Sequence, residues 1–476
     1  MKSTGSSAKR STRKTENSSP KQKPREIDRL KRAIDWCLND SGFGDLKVHG
    51  NAKWSAKFLI VLAVLSAWGT ESRMTDCFAE ASKLSMNLYG TVAINTYQGM
   101  MRALLAYTGQ LLPIVWLRLQ AQIEKASPKN FRIGRWLALA VDGSRFTTPR
   151  TKSNEQAFAA KNYGKGKQAK SRAKWKNKNK RSKKLSTPVK PQIWLTLVWH
   201  MGSKLPWCWK SGPSNSSERS HLVEMIETMI FPKNTLFCGD AGFTGYEFWS
   251  AIIESGNNFL VRVGGNVKLL KNLGHCRTGD GIVSLWPDAA ARRKQPPILL
   301  RLIEVKNERG TMYLVTSVLN QRQLSDSMLK RLYPLRWGIE LQFRALKQTF
   351  GLAKLRSRNS GHAIVELNWS IVALTMVELL AVKEQSQIEI PPEHSSVSAA
   401  LQAIRQAMRH WFERNGENAS LDACLAAAIK DKYERTTRKE ARYKPNFKDK
   451  PADGKPVVIA ATLKQKRAYN ALQTAA

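Results

Sequence analysis

Two aspartates in this chain stand where chemistry could be done. Asp142 closes the apolar run Trp136-Leu-Ala-Leu-Ala-Val-Asp142-Gly-Ser, and Asp240 closes Thr235-Leu-Phe-Cys-Gly-Asp240-Ala-Gly-Phe. Each run reads as a strand ending on an acid and a glycine turn. A strand end is rigid, and the turn lets a phosphate or a metal ion approach the backbone. Taken singly, each Asp is read equally well as the cap of the turn that follows it.

A third acid changes the balance. Glu340 lies in Tyr333-Pro-Leu-Arg-Trp-Gly-Ile-Glu340-Leu-Gln-Phe-Arg-Ala-Leu-Lys347. The spacing predicts a helix, with Pro334 tolerated in its first turn. At about 100° per residue, Arg336, Glu340 and Lys347 fall within about 40° of one another. Leu335, Ile339, Phe343, Leu346 and Phe350 form the apolar stripe beside them. The plain alternative is a surface Arg–Glu pair at i, i+4, worth only about 0.3–0.5 kcal/mol. That alternative explains neither a polar row bordering a core stripe nor Tyr333 at its head.

The elements that must position these residues are legible as periodicity. Ile27, Leu30, Ile34 and Leu38 recur at helical steps, residues 54–68 read as a buried helix, and Leu104–Glu124 reads as a helix broken or kinked at Pro113. After Trp136 the pattern changes to short strands: the two Asp runs, Gln192–Trp199 and Asn258–Val263, with a helical stretch at Thr244–Ile253. Strands alternating with a helix predict an α/β core. Strand-like pieces at Leu299–Val305 and Thr311–Val318 follow, then helical spacing from Ser325 to about Val382 and again over 396–430.

Charge narrows the function class. In 476 residues, 78 Lys and Arg face 37 Asp and Glu, a net charge of +41. With 42% hydrophobic residues, 15 Trp and 15 Phe, the chain can bury a large core and is not a disordered basic protein. The excess is concentrated: +7 in residues 1–25, +14 in 150–190 and +8 in 430–476, all three reading as flexible. The middle block runs from Lys161 to Lys190 with thirteen positive charges and no negative one, interleaved with Tyr163 and Trp175. It is expected to bind a polyanion without sequence preference.

The six cysteines are scattered without a Cys-x-x-Cys pair, and neither His275-Cys276 nor His200 with Cys208 has zinc-site spacing, so reduced thiols are expected. The longest apolar run, Phe58–Trp68, is shorter than the roughly 20 residues of a membrane span, and the N-terminus lacks the apolar stretch of a signal peptide. The expectation is a cytoplasmic, polyanion-binding protein without a membrane partner.

Tyr-x2-Arg-x3-Glu-x6-Lys, met by Tyr333, Arg336, Glu340 and Lys347, resembles the signature of DDE transposases of the insertion-sequence-four type. Val141-Asp142-Gly-Ser resembles that family's first-aspartate strand. Gly239-Asp240-Ala-Gly-Phe-Thr-Gly-Tyr-Glu-Phe-Trp249 resembles its second, and Lys354-Leu-Arg-Ser-Arg358 resembles the basic segment after the glutamate helix. The resemblance covers roughly 130–385. It implies an α/β chain with an RNase H-like catalytic core and a β-rich insertion, flanked by helical N- and C-terminal regions. The boundaries expected are a disordered basic tail, 1–25; a helical DNA-binding region, 26–130; the first part of the core, 131–263, with its Lys-rich loop; the insertion, 264–325; the second part with the glutamate helix, 326–385; and a C-terminal helical region and basic tail, 386–476.

The resemblance further implies that Asp142, Asp240 and Glu340 bind two divalent cations, Mg²⁺ with Mn²⁺ tolerated, as hard carboxylate oxygens suit. Two such ions serve an in-line displacement at phosphorus, so no covalent nucleophile is needed. Tyr333, Arg336 and Lys347, with Lys354, Arg356 and Arg358, would hold DNA. Trp286, the only Trp of the insertion, would stack a flipped base, with ordinary packing as its alternative. Partners would be double-stranded DNA, at the element's ends and at the target, and a second copy of the chain. The alternatives are an RNase H-like nuclease that cuts without joining, and a non-catalytic DNA-binding protein descended from a transposase.

Overall fold

The computed structural model describes residues 25–39, 43, 46, 54–90, 94–159, 190–274, 281–307, 310–409, 420–431 and 454–474. The basic tail 1–24 and the Lys-rich block 160–189 lie outside the described residues, as do the greater part of the basic stretch after Asp431 and Cys276.

The N-terminal region is helical: α1 (Arg25–Cys37), α2 (Ala56–Trp68), α3 (Met74–Tyr89), α4 (Tyr97–Ala126) and the single turn α5 (Pro128–Phe131). Ser55 and Thr96 cap α2 and α4 by accepting from the N–H groups of Phe58 and Gly99. The break expected at Pro113 does not occur, and α4 runs through it for 30 residues. Residue i−4 from the proline is Gly109, whose Cα has open space, and α4 packs along α12 (Ser360–Gln387) and against β3 (Leu205–Gly212). Packing on both holds the helix continuous where the proline removes one bond.

The remaining elements are β1 (Leu137–Thr147), α6 (Lys152–Phe158), β2 (Gln192–His200), β3, α7 (Glu218–Thr228), β4 (Thr235–Gly239), α8 (Tyr246–Glu254), β5 (Asn258–Val263), β6 (Lys268–Lys271), β7 (Ile282–Leu285), α9 (Asp288–Arg292), β8 (Ile298–Asn307), β9 (Gly310–Thr316), α10 (Asp326–Leu332), α11 (Gly338–Arg344), α12, α13 (Val397–Met408), α14 (Leu421–Ala426), β10 (Val457–Ala460) and α15 (Leu463–Thr474). All ten strands form one sheet in the order β10-β6-β7-β8-β9-β5-β4-β1-β2-β3. β1, β2 and β3 are antiparallel neighbours, while β1, β4 and β5 are parallel. The strands of 264–325 continue this sheet, because β9 pairs antiparallel with β5 from Leu260↔Thr316 to Val263↔Tyr313.

The tail departs from its expected flexibility at 457–474. The apolar Val457-Val-Ile-Ala pairs parallel with edge strand β6, and Tyr469 of α15 meets Trp286 edge to face at 6.5 Å. Pairing an open sheet edge satisfies a row of backbone groups that basic flanking residues do not disturb.

Among the described residues two helices, α4 and α12, are long and apolar enough to cross a membrane by length and composition. For α12 the most apolar window is 94% buried inside the protein, against α2, α4, α14 and β3. Its polar groups are matched there: Trp209 donates to Asn368 at 2.9 Å, Trp369 to Thr108 at 3.0 Å, and Trp68 to the Ala373 carbonyl at 3.0 Å. Burial in protein accounts for the apolarity of α12.

Candidate active site

Asp142 is not at a strand end. β1 continues to Thr147 because β2 pairs with it residue by residue to Thr147↔Gln192, whereas parallel β4 accompanies it only to Ala140↔Cys238. Asp142 therefore stands two residues beyond the last β1–β4 pair, on a strand kept rigid from its other side. Asp240 follows the last residue of β4 directly, as the sequence suggests. Each aspartate turns one oxygen to a local amide: Asp142 Oδ1 accepts from Gly143 N at 2.8 Å, and Asp240 Oδ1 accepts from Gly242 N at 2.7 Å. Gly239 has no room for a side chain, since a Cβ there would lie 2.7 Å from Phe243.

The glutamate segment is helical but not one regular helix. Residues 333–337 wind as 3₁₀, Gly338–Arg344 as α, and 345–349 as π. Leu335 leaves the expected apolar stripe and is exposed, while Ile339 and Leu346 are buried. Arg336 is only 5% exposed, and its guanidinium lies between the rings of Tyr333 (5.8 Å) and Trp337 (5.1 Å). Its Nε has no hydrogen-bond partner among the described residues. Lys347 donates from Nζ to Ser144 Oγ at 2.7 Å and stands 5.2 Å from the Phe146 ring, which ties the π segment to the strand of Asp142. Burial lowers its pKa from the ordinary lysine value.

The acids feel one another. Burial above all, opposed by the Gly143 N–H and Arg336 and helped by the charges of Asp240 and Glu340, leaves the Asp142 carboxyl pushed up to about 6. Glu340, exposed on α11, is raised chiefly by partial burial and also by Asp240, with Arg336 opposing. Like charges gathered beside one buried arginine suit a cation as further company. The donor set, carboxylate oxygens throughout, fits a hard divalent ion. With the aspartates turned to backbone amides, no three His, Cys, Asp or Glu side chains among the described residues surround a common cation position.

Three expected DNA contacts are placed differently. The Tyr333 hydroxyl is buried and donates to the Gly239 carbonyl at 3.1 Å, so it braces β4. Arg356 pairs with the buried Glu366 at 3.5 Å and reaches the Glu71 carbonyl, joining the N-terminal helices to α12 instead of standing free for phosphate. Trp286 is 4% exposed and donates to the Gln295 carbonyl at 2.8 Å. A ring held so has no free face for a base, and the packing alternative describes it. Lys354 and Arg358 are exposed. A backbone bridge at Lys354 and the Leu355 N–H bond to the Thr147 carbonyl at 2.8 Å lay their segment along the end of β1.

A further acid stands near the two aspartates. Glu218, in the first turn of α7, has its carboxylate against Gly143: a Cβ built on that glycine would lie 2.4 Å from Glu218 Oε1. Burial, then Asp142 and Asp240, push its carboxyl up to about 7 against Arg219 and Arg145. No spacing or strand end announces it, because the contact crosses from a helix to a glycine 75 residues away.

Residues 137–376, half of the chain, match the family model described as "Transposase DDE domain". A curated relative, "Transposase InsG for insertion sequence element IS4" of Escherichia coli (strain K12), is 26% identical over 243 residues, 49% of each chain. This chain spans about half the length of the curated relatives it matches. Among solved structures, the "Cryo-EM structure of piggyBac transposase synaptic complex with hairpin DNA (SNHP)" aligns over 86% of this chain and 87% of that one, with 11% identity and a TM-score of 0.39, too distant to argue from.

Proposed function

Since the chain belongs to the DDE transposases, in their insertion-sequence-four type, we propose that it binds the ends of its own insertion element, cleaves them, and joins them to target DNA. The observation that carries this reading is the meeting of Asp142, Asp240 and Glu340 in one electrostatic neighbourhood beside the buried Arg336. The strand order β3-β2-β1-β4-β5, with the first three antiparallel and the last two parallel to β1, supports an RNase H-like core.

Asp142, Asp240 and Glu340 would hold the divalent cations, Mg²⁺ with Mn²⁺ tolerated. When bound, the ions would activate water or a 3′-hydroxyl and stabilise the leaving oxygen of an in-line displacement. The chain's own residues do the rest. β1 and β4 fix the two aspartates, and Tyr333 braces the residue before Asp240. Arg336, whose Nε is unsatisfied, and Lys347, held by Ser144, stand where a phosphate would bring its oxygens. Lys354 and Arg358 extend this basic edge along the strand end. Double-stranded DNA and a second copy of the chain are the partners this reading requires, in the cytoplasm, on nucleoid DNA.

Incubation of the protein with Mg²⁺ and the inverted repeats flanking its own gene tests the reading. Cleavage with strand transfer, both lost in Glu340→Gln, is the result expected. Cleavage without joining would favour a nuclease, and binding with neither would favour a non-catalytic descendant.

A further inference from the structure

We propose that the cavity on the reverse face of the glutamate segment binds a small amphipathic anion, a carboxylate or phosphate head on an apolar body. It stands apart from the three carboxylates and binds without reference to the chemistry read from them.

The cavity has a volume of about 480 Å³, within the range of small-molecule sites. Gly338, Leu341, Gln342 and Ala345 line it at helical steps, whereas Arg336, Glu340 and Lys347 do not. It therefore meets the face of the segment opposite the polar row. The turn between β2 and β3 forms a second wall, and the start of α13 a third. Leu335 and Leu341, both exposed, stand on it beside the buried Val382, so an apolar lining is open to water.

Its charge is one-sided. Lys204, Arg344 and Lys430 line it, and none of them has an ion pair among the described residues. Lys204 donates to the Met201 carbonyl at 2.7 Å and lies over the Trp199 ring at 5.5 Å, and Lys430 donates to the Glu393 carbonyl at 2.6 Å. Each ammonium keeps further donors for a ligand. The two lysines feel one another: burial lowers the Lys204 pKa from its ordinary value, Glu393 opposes the fall, and Lys430 adds to it. Two acids also line the cavity. Burial pushes the Glu378 carboxyl up to about 8, so it is protonated at neutral pH, and exposed Glu393 alone faces three cations. At the third wall Ser396 caps α13 through the Ala399 N–H, while the Val397 and Ser398 N–H groups have no partner among the described residues. Cations around an apolar hollow fit a charged head and an apolar body together. The plain alternative, a water-filled seam between the core and the C-terminal helices, gives the apolar wall and the unpaired cations no common reason.

Anilinonaphthalene sulfonate, an aromatic anion that fluoresces in apolar surroundings, is the probe, titrated into the full-length protein and then displaced by decanoate, phenyl phosphate or decanol. One saturable site per chain is expected, emptied by decanoate or phenyl phosphate and much less by decanol, and the stronger of the two anions identifies the head group. Lys204→Asn removes the charge while suiting the left-handed backbone there (φ 62°), and should raise the Kd about tenfold. Leu341→Trp, which fills the cavity from its exposed rim, should abolish binding in a protein that still melts cooperatively. Lys464→Asn, on α15 and outside the lining, controls for net charge and should change nothing. Equal losses in Lys464→Asn and Lys204→Asn, unchanged binding in Leu341→Trp, or displacement by decanol as strong as by decanoate would each overturn the proposal.

Discussion

The Tyr333 hydroxyl donates to the carbonyl of Gly239, the residue immediately before Asp240, across 3.1 Å. The glutamate segment and the strand of the second aspartate are thus joined by one bond, and a residue expected at the DNA surface works from beneath it. Burial pushes the phenol up to about 12, so the donor stays protonated over any working pH.

Tyr333→Phe should therefore cost stability, about 1 kcal/mol for a buried hydrogen bond whose acceptor is left unsatisfied. Cleavage should fall several-fold as Asp240 loosens, while the affinity for end DNA stays within twofold. Thermal melts, cleavage time courses and gel shifts separate these effects. Weakened DNA binding with stability intact would restore the phosphate contact that the family resemblance implies.

Gly338 opens α11 two residues before Glu340, and a Cβ there would lie 2.1 Å from the Trp199 ring. That ring is buried, and its Nε1 donates to Gln342 at 3.3 Å. Gly338→Ala must push the helix or the indole aside, which we expect to cost about 1–3 kcal/mol and to displace the glutamate. Trp199→Phe in the same chain should recover part of both the melting temperature and the cleavage rate. An unaltered Gly338→Ala protein would show that the contact yields easily.

The three carboxylates were legible because each lies at a change of pattern: two close apolar runs, and the third sits in a helical stripe. What escaped is set by partners far off in the chain. β1 outruns Asp142 because Gly143, Ser144 and Arg145 are held by β2, some fifty residues on. The 3₁₀ and π windings on either side of α11 have no periodicity to betray them, and they are met by Trp199 at Gly338 and by Ser144 at Lys347. Glu218 reaches Gly143 across the sheet, a relationship no spacing encodes. The continuity of residues 264–325 with the core sheet depends on the pairing of β9 with β5, which a strand pattern alone leaves undetermined.

Lys347 is one charge placed by a hydrogen bond, whereas the 161–190 block carries thirteen. Lys347→Ala should reduce the slope of log K against log[salt] for end DNA by about 0.9, one phosphate contact, and lower cleavage strongly. Deleting 161–190 should flatten the slope several times more, yet leave metal-dependent cleavage detectable at low salt. Loss of all cleavage on that deletion, with the fold intact, would mean the block belongs to the site and not only to bulk affinity.

Glu378 lies buried on α12 behind the glutamate segment, where Gln342 donates to its Oε2 at 2.7 Å. Burial pushes its carboxyl up to about 8 from an ordinary 4.5, with Gln342 and the nearby Lys430 opposing the rise. Lys430 in turn donates to the Glu393 carbonyl at 2.6 Å. Between these two values the folded chain keeps a proton that the unfolded chain has released. The stability contributed by neutral Glu378 is therefore complete below about pH 4.5, declines as pH rises, and is gone above about pH 8. Each pH unit of that window is worth about 1.4 kcal/mol, so the full decline is on the order of a few kcal/mol. Glu378→Gln keeps the shape and an acceptor for Gln342 without an ionisable proton. Urea unfolding at pH 5, 7 and 9 should show the variant gaining on the parent as pH rises. Parallel stability profiles for the two proteins would show that Glu378 is ionised in the folded chain at neutral pH, with Lys430 as its counter-charge.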